Sequence, residues 1–416
     1  MRRRWLVTVL ALLTVVAAST PASGRQTQHV VRQWVNTWTS MPQLTEPGNM
    51  PPAAFVRDGV VLPDTTLRQT VRFSVGGDRI RLRFSNAFGG APLPITSVSI
   101  AAPLGGKAGV GEIEPGSARA VTFRGKPGAV VPAGALVVSD PLDFSVQARQ
   151  NVTVTAYFAQ GQASTSITSH PGSRTTSQLL AGDHVADKDL PGATPVDHWY
   201  FLSGAEVFGP KRTEAVAVVG DSLTDGRGST TNGNDRWPDH LRIPDVAVLN
   251  QAAGGNRVLA DGLGPNLLSR VDRDVLAQSG VSWLVVFEGV NDIGTAAATP
   301  EAQRQVAADL IDAYDQIVVR AQAHGIRVYG ATLTPFGGNT GYDDLAGTRE
   351  SARQAVNTWI RTSGRFDAVL DFDRVARDPG FPARLSPAYD VGDHLHLGPA
   401  GYRALADSVP ARLFRR

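Results

Sequence analysis

Four short stretches in the C-terminal half hold residue types that nucleophilic catalysis uses: Gly220-Asp221-Ser222-Leu223, Gly254-Gly255-Asn256, Gly289-Val290-Asn291-Asp292 and Asp393-His394-Leu395-His396. A serine hydroxyl is a poor nucleophile until a neighbouring imidazole removes its proton. The imidazole needs a carboxylate that fixes its tautomer and stabilises the imidazolium. A tetrahedral oxyanion needs donors already in place. The Ser222 and Gly255 backbone N–H groups and the Asn291 side-chain amide are the candidate donors. Glycine at 255 also lets the backbone approach a substrate with no Cβ in the way.

These stretches must be positioned by the elements around them. Glu214–Val219, Val246-Ala-Val-Leu249 and Trp283-Leu-Val-Val-Phe287 are unbroken apolar runs, the mark of parallel strands buried on both faces. A helix is expected from about Pro300 to His324, with Thr299 as N-cap, Pro300 at N1 and Gly325 just past the end. Val306, Leu310, Tyr314, Ile317 and Ala321 recur there at helical spacing. Strand 326–333, a helix around 349–361, strand 368–372 and a helix from about Pro399 complete an alternation that means an α/β, doubly wound parallel sheet. In such sheets catalytic groups gather at the carboxyl ends of the strands, where the four stretches fall.

The pattern resembles the SGNH, or GDSL-type, hydrolase family. Gly220-Asp-Ser-Leu-Thr-Asp-Gly226 is similar to its nucleophile block, which implies Ser222 as nucleophile. Asn250-Gln-Ala-Ala-Gly-Gly-Asn-Arg257 resembles the glycine block, with Gly255 as the match, and Gly289-Val-Asn-Asp292 the asparagine block, which puts Asn291 in the oxyanion hole. Asp393-His-Leu-His396 resembles the terminal block, with Asp393 and His396 in its roles. The resemblance spans nearly all of the second half and implies a flavodoxin-like sheet and an ester hydrolase. One position departs from it: the residue after the aspartate is often glycine in the family and here is His394. In an extended loop residues 394 and 396 would face similar directions, and the family spacing selects His396 as the base.

The first half has a different grammar. Thr70-Val-Arg-Phe-Ser and Arg79-Ile-Arg-Leu-Arg-Phe-Ser alternate apolar and polar residues, with Gly76-Gly77-Asp78 between them as an expected hairpin turn. Val152–Phe158 and Ala135–Ser139 continue the pattern, and no long helical period appears, which points to an antiparallel sandwich or jelly roll. The expected organisation is a signal peptide over 1–24, an accessory β-sandwich over 34–207 and a catalytic domain over 214–416. The first half also looks like the β-rich domain that precedes this catalytic unit in some secreted bacterial relatives, notably in its Trp34-to-Pro42 opening.

Several of these residues also have plainer readings. Ser222 could be a helix N-cap, Asn291 a capping residue, and Gly254-Gly255 a plain turn; Asp292 reads as structural. Asp225 and Arg257 are substrate-binding candidates, or halves of surface pairs. His240 reads as a surface or packing residue, and His29, His170, His184, His198 and His324 have no constellation around them. Arg227–Asn234 is a Gly/Ser/Thr/Asn-rich stretch with no P-loop spacing, read as a loop near the site mouth. Trp34, Trp38, Tyr157, Trp199 and Tyr200 could stack on sugars, but core packing is the better reading. Two rival functions are a metal-dependent phosphoesterase using Asp221, Asp225, Asn291, Asp292, Asp393 and His396, and a carbohydrate-binding protein with a decayed catalytic half.

Composition narrows the field. The chain has 40 basic and 38 acidic residues, a net charge of +2 that gives no case for nucleic-acid binding. The absence of cysteine excludes disulfides, thiolate nucleophiles and Cys-ligated metals. Arg2-Arg3-Arg4, the apolar run Trp5–Ala18 and the small residues Ala22-Ser23-Gly24 read as a secretory signal, and Arg3-Arg4-Trp5-Leu6 loosely resembles a twin-arginine one. No later segment is apolar enough to cross a membrane. The expectation is a secreted serine esterase needing no metal or organic cofactor. Its partner is an ester, with an acylated polysaccharide as one candidate. A carbohydrate or short-chain acyl esterase comes first, because no long apolar lid is visible, and a lipase is the runner-up.

Overall fold

Two grammars in the sequence become two kinds of sheet. The computed structural model describes residues 32–415; the expected signal peptide lies outside them. The first part is built on a five-stranded and a six-stranded antiparallel sheet, with smaller two- and three-stranded pieces around them. Arg32–Thr39, Leu202–Pro210 and Gly77–Ser85 lie side by side in the first sheet, and Thr65–Arg72 and Asn151–Phe158 at the centre of the second. Val35, Leu67, Phe73, Leu82, Phe84, Val154, Phe158 and Val207 fill the core of this part, a sandwich in which apolar side chains from both sheets meet.

The expected hairpin across Gly76-Gly77-Asp78 is not formed. Thr65–Arg72 pairs with Asn151–Phe158 and Ser177–Ala181, whereas Gly77–Ser85 pairs with strands of the other sheet. Gly76 and Gly77 have no positive φ, so they do not make the mirror-image turn a two-residue hairpin uses. The segment carries the chain from one sheet to the other.

Residues 211–213 turn the chain directly from Leu202–Pro210 into the first strand of a parallel sheet. Its order is Val246–Ala252, Glu214–Gly220, Val281–Phe287, Arg327–Ala331, Ala368–Leu370, and every pairing is parallel. In sequence order that is 2-1-3-4-5, the flavodoxin-like arrangement with its switch point at the first strand. The long helix runs Pro300–Ala323, capped by Thr299, whose hydroxyl accepts from Ala302 N–H at 3.2 Å. Its buried stripe Val306, Leu310, Tyr314, Ile317 and Ala321 packs on the sheet. Thr348–Thr362 and Pro399–Asp407 supply further cover.

The antiparallel part covers the otherwise open edge of the parallel sheet. Val248 N–H on the edge strand donates to Ser74 Oγ at 3.0 Å, Thr39 Oγ1 donates to the Asn250 carbonyl at 3.3 Å, and Asn36 N–H donates to the Ser279 carbonyl at 3.0 Å. An exposed edge is a pairing hazard that such cover removes. Ala215, Ala247 and Leu249 of the parallel sheet pack into the sandwich core, and from Arg32 onward the chain is one compact unit.

The aromatic residues considered for sugar stacking are engaged in packing. Trp38 meets Trp199 edge-on at 4.9 Å, both are buried with Tyr200, Trp34 lies beneath Arg81, and the Tyr157 hydroxyl donates to Asp64. Among the described residues no helix is long and apolar enough to cross a membrane.

Candidate active site

The strand Glu214–Gly220 ends where a short helix, Ser222–Asp225, begins, so Ser222 sits at a strand-to-helix turn. Asp221 is the N-cap, its carboxylate accepting from Leu223 N–H at 3.0 Å. The Ser222 N–H is one of the first-turn groups with no carbonyl behind it to bond. Burial, with the negative charges of Asp292 and Asp225 nearby, pushes Asp221 up to about 7.

His396 reaches this serine from the loop before the last helix. Its Nε2 is 2.8 Å from Ser222 Oγ and its Nδ1 is 2.6 Å from Asp393 Oδ2. The other Asp393 oxygen accepts the backbone N–H groups of His396 at 2.8 Å and Leu395 at 3.0 Å, so the carboxylate is locked beside the ring. Burial raises the Asp393 pKa, but these donors and the ring itself outweigh it and hold the carboxyl below its ordinary value. Burial lowers the His396 pKa, and although Asp393 pulls the other way, the positive charges of Arg227 and Arg174 add to the fall.

His394 faces elsewhere. It adopts a left-handed φ of +61°, and its N–H and Nδ1 are both taken by Asp390, at 3.0 and 2.6 Å. The loop is therefore not extended, and one residue of reversed backbone turns the two histidines apart.

Gly255 and Asn291 stand at the ends of the neighbouring strands, and both line the pocket that Ser222 and His396 open into. Gly255 has φ +72°, a backbone conformation that residues with side chains rarely adopt. Among the described residues neither the Ser222 nor the Gly255 N–H donates to a protein acceptor. The Asn291 amide is oriented from both ends: Tyr342 donates its hydroxyl to Oδ1 at 2.6 Å, and Nδ2 donates to the Asn256 carbonyl at 2.8 Å. That leaves one amide hydrogen of Asn291 free.

Asp292 caps the loop instead, its two oxygens accepting Val258 and Leu259 N–H at 2.9 Å each. Arg257 turns its guanidinium to the Asp261 carbonyl and does not line the pocket. Asp225 does line it, but its carboxylate is occupied: Oδ2 accepts Gly254 N–H at 3.0 Å and Oδ1 lies 2.9 Å from His170 Nε2. With Asp225, Asp292 and Asp393 so committed, the carboxylates do not converge. Among the described residues no group of three or more His, Asp or Glu side chains is placed to hold a metal ion.

His170 is the residue sequence reasoning left out of the site. It comes from the antiparallel part, lies buried, and its Nδ1 is 3.0 Å from the Met41 carbonyl. Its two ring nitrogens thus lie against the Met41 carbonyl and the Asp225 carboxylate. Burial opposes the charge of Asp225, but His170, helped by Arg174 and Arg236, holds it below the ordinary carboxylate value. Gly172 completes the fit, since a Cβ there would lie 1.8 Å from Asp225 Oδ2. His170→Ala strands a buried carboxylate, and breaking such a pair costs about 3–5 kcal/mol; urea denaturation is expected to show a loss of that size.

Residues 218–404 match the model of the GDSL-like lipase/acylhydrolase family. They form a GDSL-like lipase/acylhydrolase domain. This acylhydrolase domain is thus the α/β part just described, and the chain is a hydrolase. No curated protein matches the chain. Solved structures similar to it include a GDSL-like lipase from Bacteroides thetaiotaomicron, 17% identical over 47% of this chain and 86% of that one, with TM-score 0.37. An acetyl xylan esterase is 19% identical over 47% and 96%, TM-score 0.35. A catalytic mutant of an acetylxylan esterase from Geobacillus stearothermophilus is 20% identical over 47% and 91%, TM-score 0.35.

Proposed function

We propose that this acylhydrolase is a serine carboxylic-ester hydrolase, exported from the cell, that removes acetyl or other short acyl groups from carbohydrate or small esters. The observation that carries the reading is the hydrogen-bonded chain from Ser222 Oγ through His396 to Asp393, opening on a pocket of about 450 Å³. In this mechanism Ser222 attacks the ester carbonyl as His396 takes its proton, and Asp393 keeps the ring in place and stabilises its charge. The N–H groups of Ser222 and Gly255 and the free amide hydrogen of Asn291 receive the oxyanion. His396 then protonates the leaving alcohol, and a water activated by the same ring hydrolyses the acyl-serine.

A short acyl group is favoured by the lining. Leu263 and Leu395 are its aliphatic surfaces, and most of the rest is polar or charged. Export rests on the N-terminal sequence alone, the basic Arg2–Arg4 followed by the short apolar run. The test is release of p-nitrophenol from acetyl, butyryl and palmitoyl esters, with and without EDTA. The reading expects the acetyl and butyryl esters to be preferred and EDTA to have no effect. Palmitoyl preference points to the lipase alternative, and loss of activity in EDTA to a metal-dependent one.

The acid limb of the pH profile follows from His396. Only the neutral ring accepts the serine proton, so kcat/KM rises with pH through the free-enzyme pKa of His396. Burial and the two arginines place that midpoint below the ordinary histidine value of about 6.5. A measured midpoint above that value, or a profile flat from pH 4 to 8, contradicts the assignment.

A further inference from the structure

The pocket over Ser222 is made by both parts of the chain. Glu46, Pro171, Arg174 and Asp197 come to it from the antiparallel part, and Arg227 and Tyr342 from the acylhydrolase domain. Its charges are unevenly satisfied. Glu46 accepts from Gln43 and Asn49, Asp197 from Thr176, and Asp225 faces His170. Arg174 and Arg227 are different: among the described residues neither guanidinium donates a hydrogen bond or joins an ion pair, and Arg174 Nε is buried with no partner.

Arg174 is also held in an unusual backbone state. Its φ is +49°, a region a side-chain-bearing residue rarely occupies, and its carbonyl is fixed by Asn232 N–H at 2.9 Å. Strained residues of this kind cluster at ligand sites. A half-buried guanidinium with an unmet donor is stabilised by whatever brings an oxygen acceptor to it. Both positive charges are felt at the His396 ring. Both arginines line the same pocket as that ring and Ser222.

We infer that Arg174 and Arg227 form an anion subsite, and that the substrate carries a carboxylate or a phosphate besides its scissile ester. The inference rests on the esterase reading above and narrows it: the ester substrate is acidic, as in an acylated uronate or sugar phosphate. It also gives the antiparallel part a direct role, because Arg174 belongs to it. A guanidinium binds either anion through paired N–H donors, which a glutamine cannot reproduce.

Three acetyl esters on one sugar frame make the test: acetylated methyl glucoside, acetylated methyl glucuronide and acetylated glucose 6-phosphate. The wild-type chain is expected to prefer one of the acidic esters over the neutral one by about tenfold or more in kcat/KM, as befits a hydrogen bond to a charged group. The arm with the larger ratio names the anion. Arg174→Gln brings that ratio toward one, and Arg227→Gln, at an exposed position where folding is not at stake, does the same. Equal kcat/KM on all three sugars, with p-nitrophenyl acetate still hydrolysed, overturns the subsite and leaves the esterase standing. A preference that neither variant changes also overturns it. No hydrolysis of any of these esters, p-nitrophenyl acetate included, removes the esterase reading and the subsite with it.

Discussion

Ser222→Ala is expected to lower kcat on p-nitrophenyl acetate by about a millionfold, and His396→Ala by a similar amount. The two act as one unit, since the Ser222 hydroxyl and His396 Nε2 share a single hydrogen bond of 2.8 Å. Removing both should therefore cost little more than removing either. His394→Ala provides the contrast. Its ring is exposed and bound to Asp390, away from Ser222, so the variant should keep nearly full turnover. Steady-state kinetics on the four proteins decides the matter. Full activity in His396→Ala, with His394→Ala inactive, would move the base to the other histidine.

Asn291→Ala should lower kcat by about 100- to 1000-fold with little change in KM. The side chain contributes nothing to the resting ester that the two backbone donors do not also offer. Its amide counts when charge develops on the carbonyl oxygen, which is a transition-state effect. The amide is ready for this because Tyr342 and the Asn256 carbonyl hold it from opposite sides. Tyr342 is kept close by Gly294, where a Cβ would meet the tyrosine ring at 2.4 Å. Matched losses in kcat and kcat/KM fit this account, and a loss confined to KM would place Asn291 in ground-state binding instead.

How much of this was legible in the sequence depended on whether the cause was local. The helix Pro300–Ala323 was readable at both ends because Thr299, Pro300 and Gly325 act on their own neighbours. Parallel strands were readable because burial on both faces leaves an unbroken apolar run. The residues Ser222, Gly255, Asn291 and His396 were named from their blocks, and all four line one pocket. The hairpin at Gly76-Gly77-Asp78 failed because its glycines suit a turn locally, while strand partners are chosen by the sheet: Thr65–Arg72 finds Asn151–Phe158, some 80 residues away. His170 was missed for the same reason. Its partner, Asp225, is 55 residues distant and in the other part of the chain. The available hint was Asp225, an acidic residue in the first block with no assigned partner. His394 was ambiguous because its reversed backbone is imposed by Asp390, and a histidine does not announce a positive φ.

The central claim is that one serine, Ser222, carries the acyl group. Its most direct test is covalent: treat the protein with a fluorophosphonate probe and map the adduct by peptide mass spectrometry. The account predicts a single adduct on the peptide containing Ser222, formed in step with loss of esterase activity and prevented by Ser222→Ala. An adduct on another residue, or hydrolysis that continues with Ser222 fully labelled, would contradict it.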